Sequence, residues 1–301
     1  MDIRKSRTTY NLEDKISNLI DISSIKTVLC RISRIIISLL IFAVFFLPFY
    51  WMVLTSIKSL SETLTFPPTF FVEKINVENF TKALSSGPFL QYTKNSIIIT
   101  LSILALQFVT IIPAAFAFAR YKFLGKNLSF GIIMSTMMIP AQLVFLPVFI
   151  MFSRYKMVNS YASLILPFAS SAFGIFMLRQ TFMQIPQELL EAARLDDASE
   201  LKIMFKVMLP IAKPTLITLG LLTFISTWND YFWPLVLTTK DLMRTLPVGI
   251  AGIAKVDGGI SYNILMAANM LLIVPILIVF FFAQKHIIEA FTYIGENNIY
   301  I

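Results

Sequence analysis

Six long runs without a charged side chain constrain this chain more than any other feature of its sequence. They extend from Ile35 to Leu54, Ser96 to Ala119, Asn127 to Ser153, Met157 to Leu178, Pro214 to Asn229 and Gly258 to Gln284. A helix rises about 1.5 Å per residue, so about 20 apolar residues cross the hydrocarbon core of a bilayer. The fifth run reaches that length only when extended through Leu209 and Val236. The expected fold is therefore all-α, a polytopic membrane protein with six transmembrane helices. Their expected positions are about 35–56, 96–119, 128–153, 159–179, 210–233 and 262–284, with a tail at 1–34 and a membrane domain at 35–301. Composition agrees: only 14% of the residues are charged, against roughly a quarter in a soluble domain. Pro48, Pro113, Pro140, Pro147, Pro167 and Pro275 fall inside the runs. In a soluble helix each would cost about 3 kcal/mol, but neighbours in a bundle can satisfy the freed backbone groups.

Basic residues orient the spans. With six crossings both termini share a side. That side holds 16 of the 25 Lys and Arg residues, in the tail, at Arg120, Lys122 and Lys126, from Arg179 to Lys213, and at Lys285. Such a bias marks the cytoplasmic face, so both termini are expected in the cytoplasm and the chain in a bacterial inner membrane. Trp51, Trp228 and Trp233 fall toward the opposite ends of their spans, where indoles prefer the interface. The net charge of +8 is thus topological and does not point to nucleic acid. A single cysteine, Cys30, excludes an intrachain disulfide and a CxxC metal site. The only histidine, His286, reads as an interfacial residue just past the last span. No catalytic residue, metal or cofactor is expected. The first run is too long for a cleavable signal and lacks a small-residue cleavage site. Leu12, Ile16, Leu19 and Ser23 recur at helical spacing in the tail, which fits a surface-lying helix or a loosely ordered segment. The longest outer connection, Ile57 to Lys94, carries Phe66-Pro67-Pro68-Thr69-Phe70, a rigid turn with aromatic flanks.

The connection at 186–209 is too patterned for a passive turn. Ten charged residues lie between Arg179 and Lys213. Pro186 is placed to start a helix over Gln187 to Leu195, with Glu188 and Glu191 near its positive end. Asp197 and Glu200 have the spacing of a capping box, with Asp197 as the cap. Leu201, Met204, Phe205 and Met208 then make one apolar face of a second helix, and Leu209-Pro210 ends it. The result is a helix–turn–helix at the cytoplasmic surface with a greasy face and a charged rim. The small pair Ala192-Ala193 favours close approach of a partner over insertion into lipid.

The segment Glu191-Ala192-Ala193, then Asp196-Asp197-Ala198-Ser199-Glu200 and Leu209-Pro210-Ile211-Ala212-Lys213-Pro214 resembles the E-A-A loop of ABC importer permeases. In detail it is similar to carbohydrate permeases of the maltose-type inner-membrane family. Further stretches carry the likeness: Leu47-Pro48-Phe49-Tyr50-Trp51-Met52, Ala119-Arg120-Tyr121-Lys122-Phe123, Met138-Ile139-Pro140, Gly174-Ile175-Phe176-Met177-Leu178-Arg179-Gln180, Trp228-Asn229-Asp230 and Arg244-Thr245-Leu246-Pro247-Val248-Gly249. The resemblance implies a permease subunit forming half of a pathway for a sugar or related polyol. It implies a coupling helix between spans four and five, with Glu191, Ala192, Ala193, Asp196, Asp197, Leu209 and Pro210 at a separate ATPase. Implied partners are a second homologous permease, two copies of the ATPase, an extracytoplasmic solute-binding protein and the lipid bilayer. No phosphate-binding loop of the form G-x-x-x-x-G-K-[ST] occurs in the chain, which agrees with ATP chemistry lying elsewhere. The chain departs from the family at Asp197, where D-G-A relatives carry glycine, and after Lys285.

Two other classes fit less well. A gradient-driven transporter usually needs ionisable groups within the membrane, and only Asp230 comes near. An intramembrane enzyme would need a catalytic pair that the runs lack. Candidate pathway residues are Gln142, Asn229, Asp230, Asn263 and Asn269, each of which could equally serve a helix–helix hydrogen bond.

Overall fold

The computed structural model describes the backbone of residues 22–253 and 261–296, and side chains at 27–253 and 261–284. Among them the regular structure is helical, with no β-strand. Helix α1 (Ile22–Ser56) passes through Pro48 without a break. It starts well before Ile35, so the expected boundary at residue 34 is not a structural one. A helix satisfies its own backbone and needs no apolar neighbours to continue past the bilayer, which lets α1 carry Lys26, Arg31 and Arg34 beyond the apolar run. The tail pattern at Leu12, Ile16 and Leu19, the His286 side chain and the chain end after Glu296 lie outside the described residues. One compact unit ends at Leu54 and a second begins at Thr55.

In the second unit, short α2 (Leu60–Thr63) and α3 (Glu78–Ser85) precede α4 (Phe89–Arg120). Helix α4 is the pillar of this unit. Tyr92, Ser96, Ile99 and Ile103 line one stripe near its start, and Ile111, Ala115 and Phe118 continue burial near its end. The turn at Phe66-Pro67, expected to be rigid, contains a cis peptide bond, and buried Lys58 donates through Nζ to Thr69 Oγ1 at 2.7 Å.

The third and fourth expected spans are not single helices. Helix α5 (Lys126–Thr136) and the stretch Ala141–Arg154, which ends in α6 (Phe145–Arg154), are bent by 91°. Pro140 lies at that break. It has no N–H to donate and drives Ile139 out of the helical region. Helix α7 (Tyr161–Ile165), its 3₁₀ continuation through Pro167, and α8 (Ala172–Gln184) are bent by 40°. Ser171 restarts the chain, its Oγ accepting from the Gly174 N–H at 3.1 Å. The expectation that every proline would be absorbed thus holds for Pro48, Pro113 and Pro275, which lie inside unbroken helices. At Pro140 the chain turns, whereas Pro167 lies in the 3₁₀ stretch Leu166–Phe168 just before the second bend.

Helices α9 (Gln187–Leu195) and α10 (Glu200–Ile211) form the connection to α11 (Lys213–Trp228), and the chain bends by 78° at Ala212. Leu209 and Pro210 therefore belong to α10, and α11 begins at Lys213 rather than near residue 210. Then come α12 (Phe232–Leu237), α13 (Leu246–Ile253) and α14 (Tyr262–Glu296). Helices α1, α4 and α14 are each long and apolar enough to cross a membrane, and counting each bent pair as one span gives six.

The segment around α13 folds back onto the first half of α4. Asn95 is fully buried and donates through Nδ2 to the carbonyls of Leu242 and Arg244 at 2.9 and 2.8 Å. Its Oδ1 accepts from Tyr161 Oη at 2.7 Å and Gln91 Nε2 at 2.9 Å, so both donors and both acceptor positions are used. Ser96 Oγ accepts from the Leu246 N–H at 2.9 Å, and Tyr92 donates to Asp241 at 2.8 Å. A Cβ added at Gly249 would lie 2.1 Å from the Tyr92 ring, so that position takes only glycine. Trp228 and Trp233 are buried within the chain. Trp228 Nε1 donates to the Leu272 carbonyl at 3.0 Å and its ring stacks on Phe224. Their indoles serve the packing between helices.

Candidate functional site

Helix α8 stops where Pro186 forces Ile185 into an extended conformation (φ −69°, ψ 126°). Helix α9 restarts at Gln187, as expected, with Glu188 in its first turn. Its one fully buried side chain, Leu190, packs with Phe182, Ile185, Ile203, Met204 and Met208 in a core cluster. This cluster also takes Phe116 and Phe118 from the last turn of α4.

The turn between α9 and α10 differs from the expectation. Asp197 does not cap α10. It has a φ of +53° and occupies the left-handed position just past the end of α9. The Asp197 N–H donates to the Arg194 carbonyl at 3.1 Å, and the Ala198 N–H to the Ala193 carbonyl at 3.1 Å. This pair of bonds is the Schellman closure of a helix C-terminus, a place usually taken by glycine. A glycine at this position would meet no Cβ penalty. Ser199 caps α10 instead, its Oγ accepting from the Lys202 N–H at 3.3 Å. Glu200 turns to Arg194, with Nε to Oε1 at 2.8 Å, and this hydrogen bond raises the Arg194 pKa.

Exposure also redistributes the apolar face. Met204 and Met208 are buried with Ile203, but Leu201 and Phe205 are 66% and 56% exposed. The stretch Met204–Met208 is π-helical, with the Leu209 N–H donating to the Met204 carbonyl. This wider turn separates side chains that a uniform α-helix would place on one face. Leu189 and Leu195 are exposed as well. The loop therefore has a dry inner side and four apolar side chains at its surface. Glu191, Ala192 and Asp196 are exposed, and Glu191 accepts from Gln187 Nε2 at 3.4 Å. Ala193 is half-buried against the core cluster, as is Ala198, the contact that usually accompanies a Schellman closure. Leu209 is half-buried and Pro210 exposed.

Sequence reasoning gave no role to Arg120 and Arg179. Arg120 Nη2 donates to the carbonyls of Phe182 and, at 2.7 Å, Ile185, while Nη1 reaches Gln187 Oε1 at 3.3 Å. Arg179 Nε donates to the Phe118 carbonyl at 3.1 Å, and its guanidinium lies 4.3 Å over the Phe130 ring. A basic residue at the last turn of a helix is the signal that could have found Arg120.

The pathway candidates do not converge. Asn263 is buried and donates to Asn79 Oδ1 at 2.9 Å, and Asn79 Nδ2 bonds the Ser56 and Lys58 carbonyls. Asn269 and Asn229 donate to the carbonyls of Leu265 and Ile225 one turn back in their own helices. Gln142 is exposed in the 3₁₀ turn after Pro140. Asp230 lines a cavity of about 200 Å³, together with Ser96, Ser226, Thr227, Trp233 and Thr245. Thr245 Oγ1 there is buried without a hydrogen-bond partner. Ser226 and Asn229 are exposed on α11.

Residues 110–293 match the family described as binding-protein-dependent transport system inner membrane component. The arabinooligosaccharides transport system permease protein AraQ of Halalkalibacterium halodurans is 34% identical over 78% of this chain and 83% of its own length. The sn-glycerol-3-phosphate transport system permease protein UgpE of Salmonella typhi is 37% identical over 67% of this chain and 72% of its own. Among solved structures, a chain of a bacterial ABC transporter involved in the import of the acidic polysaccharide alginate superposes with a TM-score of 0.75. It is 25% identical, over 87% of this chain and 97% of its own.

Proposed function

Since the chain belongs to the binding-protein-dependent transport system inner membrane components, we propose that it forms half of the solute pathway of an ATP-driven importer for a sugar or related polyol. Helix α9 and the turn to α10 dock on a separate ATPase subunit. The observation that carries this reading is the build of the loop. Its inner side is locked into the core that α4 and α8 share, while Leu189, Leu195, Leu201 and Phe205 stay at the surface. Exposed apolar side chains rimmed by charge mark a protein-interaction surface. Docking there would place Glu191, Ala192 and Asp196 at the interface, with Ala193 and Asp197 shaping the turn behind it. Leu209 and Pro210 carry the motion into α11 through the 78° bend.

The basic bias supports placing this loop and both termini in the cytoplasm. A second, homologous permease completes the pathway, two ATPase copies drive it, and an extracytoplasmic solute-binding protein delivers the solute. The names of the relatives support a carbohydrate or a polyol phosphate as cargo. On the solute side, Ser226, Asn229 and Asp230 put polar groups along α11 where lipid contact would be costly, which supports a pathway-lining role for this stretch. Gln142 is the other exposed candidate. Asn263 and Asn269 donate within the chain, and Asn263 Oδ1 is buried without a partner.

The test is reconstitution in vesicles. The chain with its permease, ATPase and binding-protein partners should take up solute only when ATP is inside, and the chain alone should neither hydrolyse ATP nor transport. Robust uptake by the chain alone would replace this reading with a gradient-driven transporter.

A further inference from the structure

Two arginines tie α4 to α8 in opposite directions. Arg120 ends α4 and donates to carbonyls at the end of α8. Arg179 sits on α8 and donates to the Phe118 carbonyl in the last turn of α4. Each cation meets the negative end of the other helix, where the last carbonyls lack intrahelical partners. Such charge-assisted bonds are stronger than neutral ones and fix direction as well as distance.

Arg120 has a second reach. Phe182 and Ile185 precede the extended Ile185-Pro186 bend, and Gln187 comes after it as the first residue of α9. One guanidinium therefore holds both sides of the bend, at 2.7 Å on the Ile185 carbonyl and 3.3 Å on Gln187 Oε1. Gln187 Nε2 continues to Glu191 at 3.4 Å, so an unbroken polar chain runs from the end of α4 to the middle of α9. Covalent connection links α9 to α8 and, through α10, to α11, but not to α4. Apolar packing around Leu190 holds α4 and α9 together without fixing their angle, because it is non-directional.

We propose that Arg120 is a positioning residue for coupling, splinting the Ile185-Pro186 bend so that α9, α8 and α4 move as one body when the ATPase pushes on α9. This rests on the docking reading above. A lysine at 120 would supply the charge without the planar fork and would restore the splint only in part.

The experiment uses the whole importer in lipid nanodiscs, on a Cys30→Ser background. Spin labels are placed at Leu124→Cys, just past α4, and Glu188→Cys, on α9. Pulsed electron resonance then reads their separation without nucleotide and with trapped Mg-ADP-vanadate. With Arg120 present, one narrow distance should persist in both states. In Arg120→Ala and in Gln187→Ala the distribution should widen and shift on trapping, with Arg120→Lys in between. Hydrolysis stimulated by the binding protein should fall about tenfold in Arg120→Ala, as expected for loss of a charged hydrogen bond, while unstimulated hydrolysis persists. Gln187→Ala decides the matter if Arg120→Ala fails to fold, because Gln187 is a surface residue. Distances unchanged in the variants would overturn the splint, as would loss of the ATPase from the purified variant complex, which would make Arg120 part of the docking surface. Failure of the unaltered chain to recruit an ATPase would instead remove the docking reading itself.

Discussion

At its Arg120 end α4 meets α8, α9 and α10 through a dry cluster and two arginines, whereas at its Phe89 end Asn95 and Ser96 bond the backbone of the α13 segment and Tyr92 bonds Asp241. At the first end the partners are regular helices, whose backbones are satisfied except at their last turns. Side chains are free to pack, and only the terminal carbonyls need donors. At the second end irregular backbone lies against a spanning helix, and each of its polar groups needs a named partner. Asn95 and Ser96 supply them. The first end is held by packing and by donors to terminal carbonyls, and the second by hydrogen bonds to irregular backbone.

Substitutions that act on one end alone test this contrast. The largest loss is expected for Asn95→Ala, which strands the Leu242 and Arg244 carbonyls and the Tyr161 hydroxyl. Each buried group left unpaired costs about 1–3 kcal/mol, so the melting temperature of the purified chain in detergent should fall sharply. An unchanged melt would mean that the segment is held by packing after all. Leu190→Ala at the other end removes volume rather than hydrogen bonds and should cost about 2–5 kcal/mol. Limited proteolysis should then open the α9–α10 loop first, and cleavage elsewhere would argue against an independent cluster there. Ser199→Ala should cost about 0.5–2 kcal/mol as a lost cap. Asp197→Gly should gain about 1 kcal/mol by relieving the left-handed position, and Asp197→Ala should be worse than either. A stabilising Asp197→Ala would refute the Schellman closure. The smallest change in stability is expected for Phe205→Ser, since its side chain is exposed, yet co-purification of the ATPase should drop. Normal recruitment in that variant would move the docking surface elsewhere.

The contrast also marks what the sequence could tell. Helix α9 was legible to the residue, because Pro186 and the run to Leu195 are local signals. The turn after it was misread at Asp197 because Asp suits both an N-cap and a left-handed C-terminal position. Only the length of α9 decides between them, and Ser199 was the better cap. The π-turn left no sequence signal, so Leu201 and Phe205 were grouped with Met204 and Met208. Pro140 could not be told from Pro113 by composition, since neighbours in space decide whether a proline is absorbed or turns the chain. Of the pathway candidates, Asn263 was indistinguishable from Asp230 until Asn79 was seen beside it. The arginine clamp joins residues about sixty positions apart and was invisible for that reason.

The π-turn at Met204–Met208 has a consequence for how this loop can vary. A π-turn holds one residue more than an α-turn at the same place, and each residue added to an α-helix rotates the remainder of that helix by about 100°. Deleting a single residue within it would let the local backbone relax to ordinary α-helix. Ala212 and the start of α11 would then keep their orientation about the axis of α10, because the residue lost is the extra one, whereas a residue added to the α-helical part of α10 would swing them by about that angle. One residue can therefore be lost within this stretch at little cost, so among working relatives the number of residues from Ser199 to Lys213 should be the same or one fewer.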